Sequence, residues 1–201
     1  MAVVSDSSGS PEISVAVLVS GSGTLLQAIL DHQGRYSVDL VVADVECPAL
    51  DRARAAGIRA AVVAVEGDRD EWNVRLAETV ASTDPDVVVS AGFMKILGQG
   101  FLDRFEGSLI NTHPALLPAF PGAHAVRDAL AYGVKVTGTT VHYIDSGVDT
   151  GEIIAQRALN VREGETEEEL HERIKVMERE LIVDTLHRAT PTTTGKVEFS
   201  A

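Results

Sequence analysis

The segment ISVAVLVS, residues 13–20, is apolar and β-branched with no polar alternation, which is how a strand covered on both faces reads. GSG follows, and TLLQAILDH then carries helical spacing of its apolar residues, predicting a helix that opens directly off a glycine turn. The same succession recurs down the chain. VDLVVADV (38–45), IRAAVVAV (58–65), PDVVVSAGF (85–93) and a run ending in LINTH (109–113) read as further strands. Between them, PALDRARAAG (48–57) reads as a helix closed by Gly57, RDEWNVRLAETVAST (69–83) as an amphipathic helix, and GQGFLDRF (98–105) as a short one. The expected architecture is therefore α/β: a doubly wound, mostly parallel sheet with right-handed crossovers.

Beyond residue 122 the pattern changes. AVRDALAYG (125–133) predicts a short helix stopped by Gly133. KVTGTTVHYID (135–145) and GEIIAQRALNV (151–161) predict two adjacent strands joined by SGVDT, an antiparallel C-terminal addition to the sheet. TEEELHERIKVMERELIVDTLHR (166–188) is the longest helix, with Thr166 and Glu169 forming a capping box. Its acidic first turn complements the helix dipole, so the run from Glu163 to Glu169 needs no functional explanation. The expected layout is a flexible leader over 1–12, a single domain over 13–188 and a tail over 189–201 that ends in a short strand.

Composition narrows the function classes. A formal net charge of −13 argues against a nucleic-acid or anionic-membrane surface. It leaves small anionic ligands open, because clustered backbone N–H groups bind phosphate even on an acidic protein. The single cysteine, Cys47, makes no internal disulfide, which fits a reducing compartment, and it reads as a small half-buried residue before Pro48. MAVVSDSSGSPE lacks the basic and apolar regions of a secretory signal, and no apolar run approaches transmembrane length. A cytoplasmic protein acting on small molecules is the expectation.

Three stretches could carry chemistry. VSGSGTLLQ (19–27) is a glycine-rich turn at a helix start, a ready phosphate cradle. It lacks the third glycine of the dinucleotide fingerprint, although Asp44 lies about twenty positions on, the spacing at which an acidic residue can bind ribose. The bland reading is a tight turn with no ligand. SAGFMKILG (90–98) ends the fourth strand, where Met94, Ile96 and Leu97 form an apolar wall that could equally be core. In LINTHPALLPAFPG, Asn111 and His113 are two apart and share a strand face, and three prolines stiffen the loop that follows. His113 and His124 have no metal-ligand register, and no G-x-S-x-G elbow supports a serine nucleophile. Non-covalent group transfer remains: an amide and an imidazolium can hold an oxyanion, and a nearby carboxylate can keep the ring charged and take a proton from an attacking amine. Asp149 is the candidate carboxylate and Asp145, on the same loop, its rival.

VLVSGSGTLLQAIL, PDVVVSAGFMKIL, LINTHPALLPAFPG, KVTGTTVHYIDSGVDTGEIIAQ and LHERIKVMERELI, in this order, resemble the folate-dependent formyltransferase family, in its phosphoribosylglycinamide branch. The likeness spans about residues 13–188, and N-x-H-P-x-L-L-P with a downstream D-x-G is its most specific part. It implies a Rossmann-like formyltransferase fold and transfer of a formyl group from the co-substrate 10-formyltetrahydrofolate to the amine of glycinamide ribonucleotide, without metal. Carried over by position, Asn111 and His113 would stabilise the oxyanion, and Asp149 would keep His113 charged and relay the amine proton. Ser22, Gly23, Thr24 and Leu25 would hold the substrate phosphate through backbone donors, and Glu178 would bind its ribose. Arg69, Met94, Lys95, Ile96 and Leu97, with Asn111, would hold the folate. The family often has Asn where Leu25 stands and Arg where Lys95 stands; the second change removes a planar fork. A formyl-folate hydrolase, a methionyl-tRNA formyltransferase and a non-catalytic nucleotide-binding module are the alternatives. The first two usually carry an extra domain for which this chain has no room. The implied partners are small-molecule substrates, with no nucleic acid or membrane, and a homodimer is compatible with the resemblance.

Overall fold

Strand parity sorts the core into two layers. In the computed structural model, which describes residues 13–192 and 197–200, odd and even residues of β1 (Ile13–Val19) enter different clusters. Val15 and Val17 pack toward α1 (Thr24–Asp31), α2 (Pro48–Ala55) and the second half of α6 (Glu167–His187). Ala16 and Leu18 pack toward α3 (Arg69–Ala81) and α4 (Gln99–Leu102), around the fully buried Trp72. Helices on both faces are what make the central strands continuously apolar. The leader expected over 1–12 lies outside the described residues, as do residues 193–196 and 201 of the tail.

The sheet has seven strands in the order β3-β2-β1-β4-β5-β6-β7. β2 (Tyr36–Ala43), β3 (Arg59–Val62), β4 (Val87–Ser90) and β5 (Leu109–His113) run parallel with β1. β6 (Val136–Tyr143) joins β5 antiparallel, and β7 (Ile153–Asn160) joins β6 antiparallel. The order reverses at β1, whose neighbours are β2 and β4, and the crevice outside the carboxyl ends of such strands is where open α/β sheets bind ligands. α5 (Ala125–Tyr132) bridges the addition to α6 through Val126, Leu170 and Ile174.

Element limits shift for local reasons. β2 begins at Tyr36, ahead of the expected Val38, because that ring is buried and its hydroxyl donates to the Ile29 carbonyl at 2.7 Å. β4 stops at Ser90, where its last pair is with Asn111 and Gly92 turns the chain at φ 72°. After α6, β8 (Ala189–Pro191) and β9 (Val197–Phe199) form a small antiparallel pair. Ala189 and Val197 enter the core on the α1–α6 face, and the Tyr143 hydroxyl donates to the Val197 carbonyl at 2.7 Å. Among the described residues no helix is long and apolar enough to cross a membrane.

One glycine in the addition is fixed by packing. A Cβ on Gly138 would collide with the Arg157 carbonyl of β7 and approach the Leu116 side chain to 2.8 Å. Gly138→Ala is therefore expected to cost about 1–3 kcal/mol, as overpacking does. Thermal denaturation checks this; a melting temperature equal to wild type would mean that β7 moves aside freely.

Candidate active site

Parity on β5 aims Asn111 and His113 at the same side of the sheet, the side of Leu109 and α3, while Thr112 faces α6. Because β6 pairs antiparallel with β5, His142 lies directly opposite Asn111. His142 is 2% exposed and Asn111 Nδ2 approaches its Nε2 at 3.4 Å. Its Nδ1 lies 2.8 Å from the Tyr143 carbonyl. Burial pulls the pKa of His142 below the usual histidine value, against the opposing pull of that carbonyl and of Asp149. The neutral ring therefore donates from Nδ1, leaving an Nε2 lone pair to orient the Asn111 amide.

His113, 4% exposed, is held at both nitrogens. Nε2 lies 2.8 Å from the Phe120 carbonyl and Nδ1 lies 3.3 Å from Asp149 Oδ2. Both partners are acceptors, so the doubly protonated ring satisfies both at once. Asp149 Oδ2 also accepts the Gly122 N–H at 2.7 Å, and its Oδ1 lies 3.6 Å from His142 Nε2. Three non-glycine residues among those described have positive φ: Asp84, Phe120 and Asp149. Two of the three are the groups that grip His113, with φ of 54° each. Such conformations persist only where the surroundings enforce them.

The surroundings here are a sewn loop. Thr139 Oγ1 donates to the His113 carbonyl at 3.2 Å and Thr140 Oγ1 to the Ala115 carbonyl at 2.7 Å. Thr140 Oγ1 in turn accepts from the Leu117 N–H, and Gln156 Nε2 donates both to it and to the Leu117 carbonyl. The proline-rich loop after β5 is thus stitched to β6 by buried hydroxyls and to β7 by the Gln156 amide.

Asn111, His142 and Asp149 line a cavity of about 160 Å³, together with Lys95, Ile96 and Leu97. The rivalry on the 145–151 loop resolves in geometry. Asp145 Oδ1 accepts from the Gly147 N–H and the Thr150 hydroxyl, shaping its own loop, while Asp149 reaches the imidazole. The 93–97 segment is pinned from outside the cavity. Arg69 donates to the Ile96 carbonyl at 2.7 Å and lies over the Trp72 ring at 4.4 Å. Met94 and Ile96 are each 79% exposed, an apolar rim facing solvent. Lys95 pairs with the buried Asp44 at 3.3 Å, and Ser20 links Asp44 to the Met94 N–H. Asp44, which the spacing left open as a ribose ligand, is committed to these two partners.

The glycine-rich turn meets α1 at Gly23, φ 71°. α1 carries neither a side-chain cap nor an acidic residue in its first turn, so among the described residues no side chain claims its leading N–H groups. Glu178, half-buried on α6, hydrogen-bonds Thr112 on the far side of β5, and burial pushes its carboxyl up to about 7 despite that bond. Among the described residues no group of His, Cys, Asp or Glu is arranged to hold a metal ion.

The model of the formyl transferase family matches residues 13–186. The chain belongs to this family. It is 53% identical over 174 residues to the phosphoribosylglycinamide formyltransferase of Mycobacterium tuberculosis H37Rv, a match covering 84% of this chain and 81% of that protein. It is 35% identical over 173 residues to the enzyme of the same name from Escherichia coli K12, covering 83% and 82%. The crystal structure of glycinamide ribonucleotide transformylase 1 from Symbiobacterium toebii superposes with a TM-score of 0.86 at 39% identity, over 94% of each chain.

In this formyl transferase the side chain that sequence reasoning missed is His142. It sits in a strand of small and β-branched residues, and its significance depends on the β5–β6 register, which no local pattern carries. Asp149→Asn tests the arrangement, since Asn tolerates the left-handed backbone while losing the charge. Formyl transfer is expected to fall by roughly 10²–10⁴-fold, the usual worth of a positioned acid–base group, with little change in melting temperature. Retention of near wild-type turnover would remove Asp149 from the chemistry.

Proposed function

We propose that this chain transfers the formyl group of 10-formyltetrahydrofolate to the primary amine of 5′-phosphoribosylglycinamide, the step of purine synthesis after which its relatives are named. The observation that carries the reading is the convergence of Asn111, His142 and Asp149 on a small cavity at the carboxyl ends of β4 and β5, with His113 held against Asp149. The amine attacks the formyl carbon, and the carbonyl electrons collect on oxygen. Asn111 Nδ2 donates to that oxyanion. So does His113 from Nδ1, whose N–H is then shared between the oxyanion and Asp149 Oδ2, while Phe120 keeps the ring in place through Nε2. Donors held this way need no reorganisation as charge develops. Asp149 takes the proton released by the amine, the bond from the formyl carbon to N10 breaks, and N10 leaves with a proton delivered from the Asp149 side. Charge and atoms balance, and no covalent enzyme intermediate forms.

The substrates fit on either side of this centre. The backbone donors of Ser22, Gly23, Thr24 and Leu25 take the phosphate, so the Leu25 side chain is not required there. Glu178 takes the ribose hydroxyls. Lys95, Ile96 and Leu97 form the wall for the pterin, Met94 extends its apolar rim, and Arg69 acts by holding the Ile96 carbonyl.

Formyl transfer followed spectroscopically, with each substrate omitted in turn, tests the reading. Turnover is expected only with both present; folate turnover without the amine would identify a hydrolase, and none at all would leave a binding module. Glu178 adds a pH signature. An acid whose pKa is raised in the folded state is stabilising when protonated and loses that stability as pH climbs from the ordinary carboxyl value toward about 7. Glu178→Gln is therefore expected to match wild-type melting temperature near pH 5 and exceed it at pH 8. Its KM for the ribonucleotide should be several-fold higher at pH 8, because the ionised carboxylate is the better ribose acceptor. Equal KM in the two proteins at pH 8 would take Glu178 out of the ribose site.

A further inference from the structure

The glycine-rich turn does not hold its own shape; α2 shapes it. The Ala49 N–H donates to the Gly21 carbonyl at 3.1 Å. Gly23 lies so close that an added Cβ would meet Ala49 Cα at 2.7 Å and Arg52 Cδ at 3.2 Å. Arg52 then reaches across the start of α1. Its Nε donates to the Ser22 carbonyl at 2.8 Å, and its Nη1 donates to Gln27 Oε1 at 3.0 Å. One bond falls just before Gly23 and the other on the first turn after it, so a single planar fork spans the helix start.

Both acceptors are uncharged, and among the described residues no carboxylate bonds Arg52. Its charge therefore stands beside the uncapped start of α1, on the wall of a groove of about 650 Å³ that Thr24 and Arg179 also line, with the carboxylates of Asp31, Glu180 and Asp184 elsewhere on its wall. Arg54, one turn-face away on α2, is the contrast: it is paired with Glu46 and Asp51.

We infer that Arg52 is the positioning residue of the phosphate site. The fork fixes the turn so that its N–H groups converge on one dianion, and the guanidinium, bonded to no carboxylate among the described residues, adds its charge beside them. This inference rests on the proposed role of the Ser22–Leu25 turn in holding the substrate phosphate. It predicts that the residue matters for phosphate recognition and not for formyl chemistry. A lysine supplies the charge but only one small donor head, so it restores part of the effect.

The test compares 5′-phosphoribosylglycinamide with its dephosphorylated analogue in wild type, Arg52→Ala, Arg52→Lys and Gln27→Leu. Arg52→Ala is expected to raise KM for the phosphorylated substrate roughly 10–100-fold, the worth of a charge-assisted bond, with kcat and the KM for the formyl donor within about twofold. Its kcat/KM for the dephosphorylated analogue should stay within about twofold of wild type, and Arg52→Lys should fall between. A general structural lesion would lower both substrates alike, and that result, or no loss on either, overturns the inference. If Arg52→Ala does not fold, Arg52→Lys and Gln27→Leu decide: a loss confined to the phosphorylated substrate supports the clamp and its absence refutes it. Wild-type enzyme that shows no calorimetric preference for the phosphorylated over the dephosphorylated substrate would instead refute the phosphate reading of the turn itself.

Discussion

An imidazole with oxygen acceptors at both nitrogens is the constraint around which the carboxyl end of this sheet is organised. Phe120 supplies one acceptor and Asp149 the other, and each does so from a left-handed backbone conformation. Neither conformation is favourable alone. Each is enforced by what lies around it: the loop before Phe120 by Thr139, Thr140 and Gln156, and the loop holding Asp149 by the Asp145 turn and the bond from Gly122. The folding free energy of the antiparallel addition is thus spent partly on the geometry of one side chain that belongs to another strand.

The change from parallel to antiparallel at β5 makes that possible. A parallel sixth strand would have needed a crossover and would have ended with its own carboxyl edge beside β5, as β4 does. An antiparallel β6 runs past β5 in the opposite sense, so His142 comes to lie across from Asn111 and the chain then turns back at the site through the loop that carries Asp149. Asn111, His142 and Asp149 thus come from two strands and one loop, and a single hairpin delivers two of them.

The fold was legible wherever burial was symmetric. β1, β2 and β4 read plainly because both faces are covered, and α6 announced its start through Thr166 and Glu169, whose reciprocal bonds are present. Asn111 and His113 were legible for a different reason: two polar residues of equal parity interrupt a buried strand. Asp149 could not be separated from Asp145 by spacing, because the distinction lies in which of them adopts a positive φ and turns inward. His142 and Arg52 were illegible for a third reason, since each acts through a neighbour distant in sequence, Asn111 in one instance and Ser22 in the other. Asp44 was legible as a functional spacing and proved to be a local anchor for Lys95 and Ser20.

The bare N-terminus of α1 has a bearing on how such a chain can change over generations. Under its proposed role the anion is held by main-chain dipoles, which every residue except proline supplies. The side chains at Thr24 and Leu25 are then free to vary without loss of that grip. What the turn requires is shape: the missing Cβ at Gly23, whose place Ala49 already fills. In this turn an empty volume constrains the residue more tightly than any functional group would.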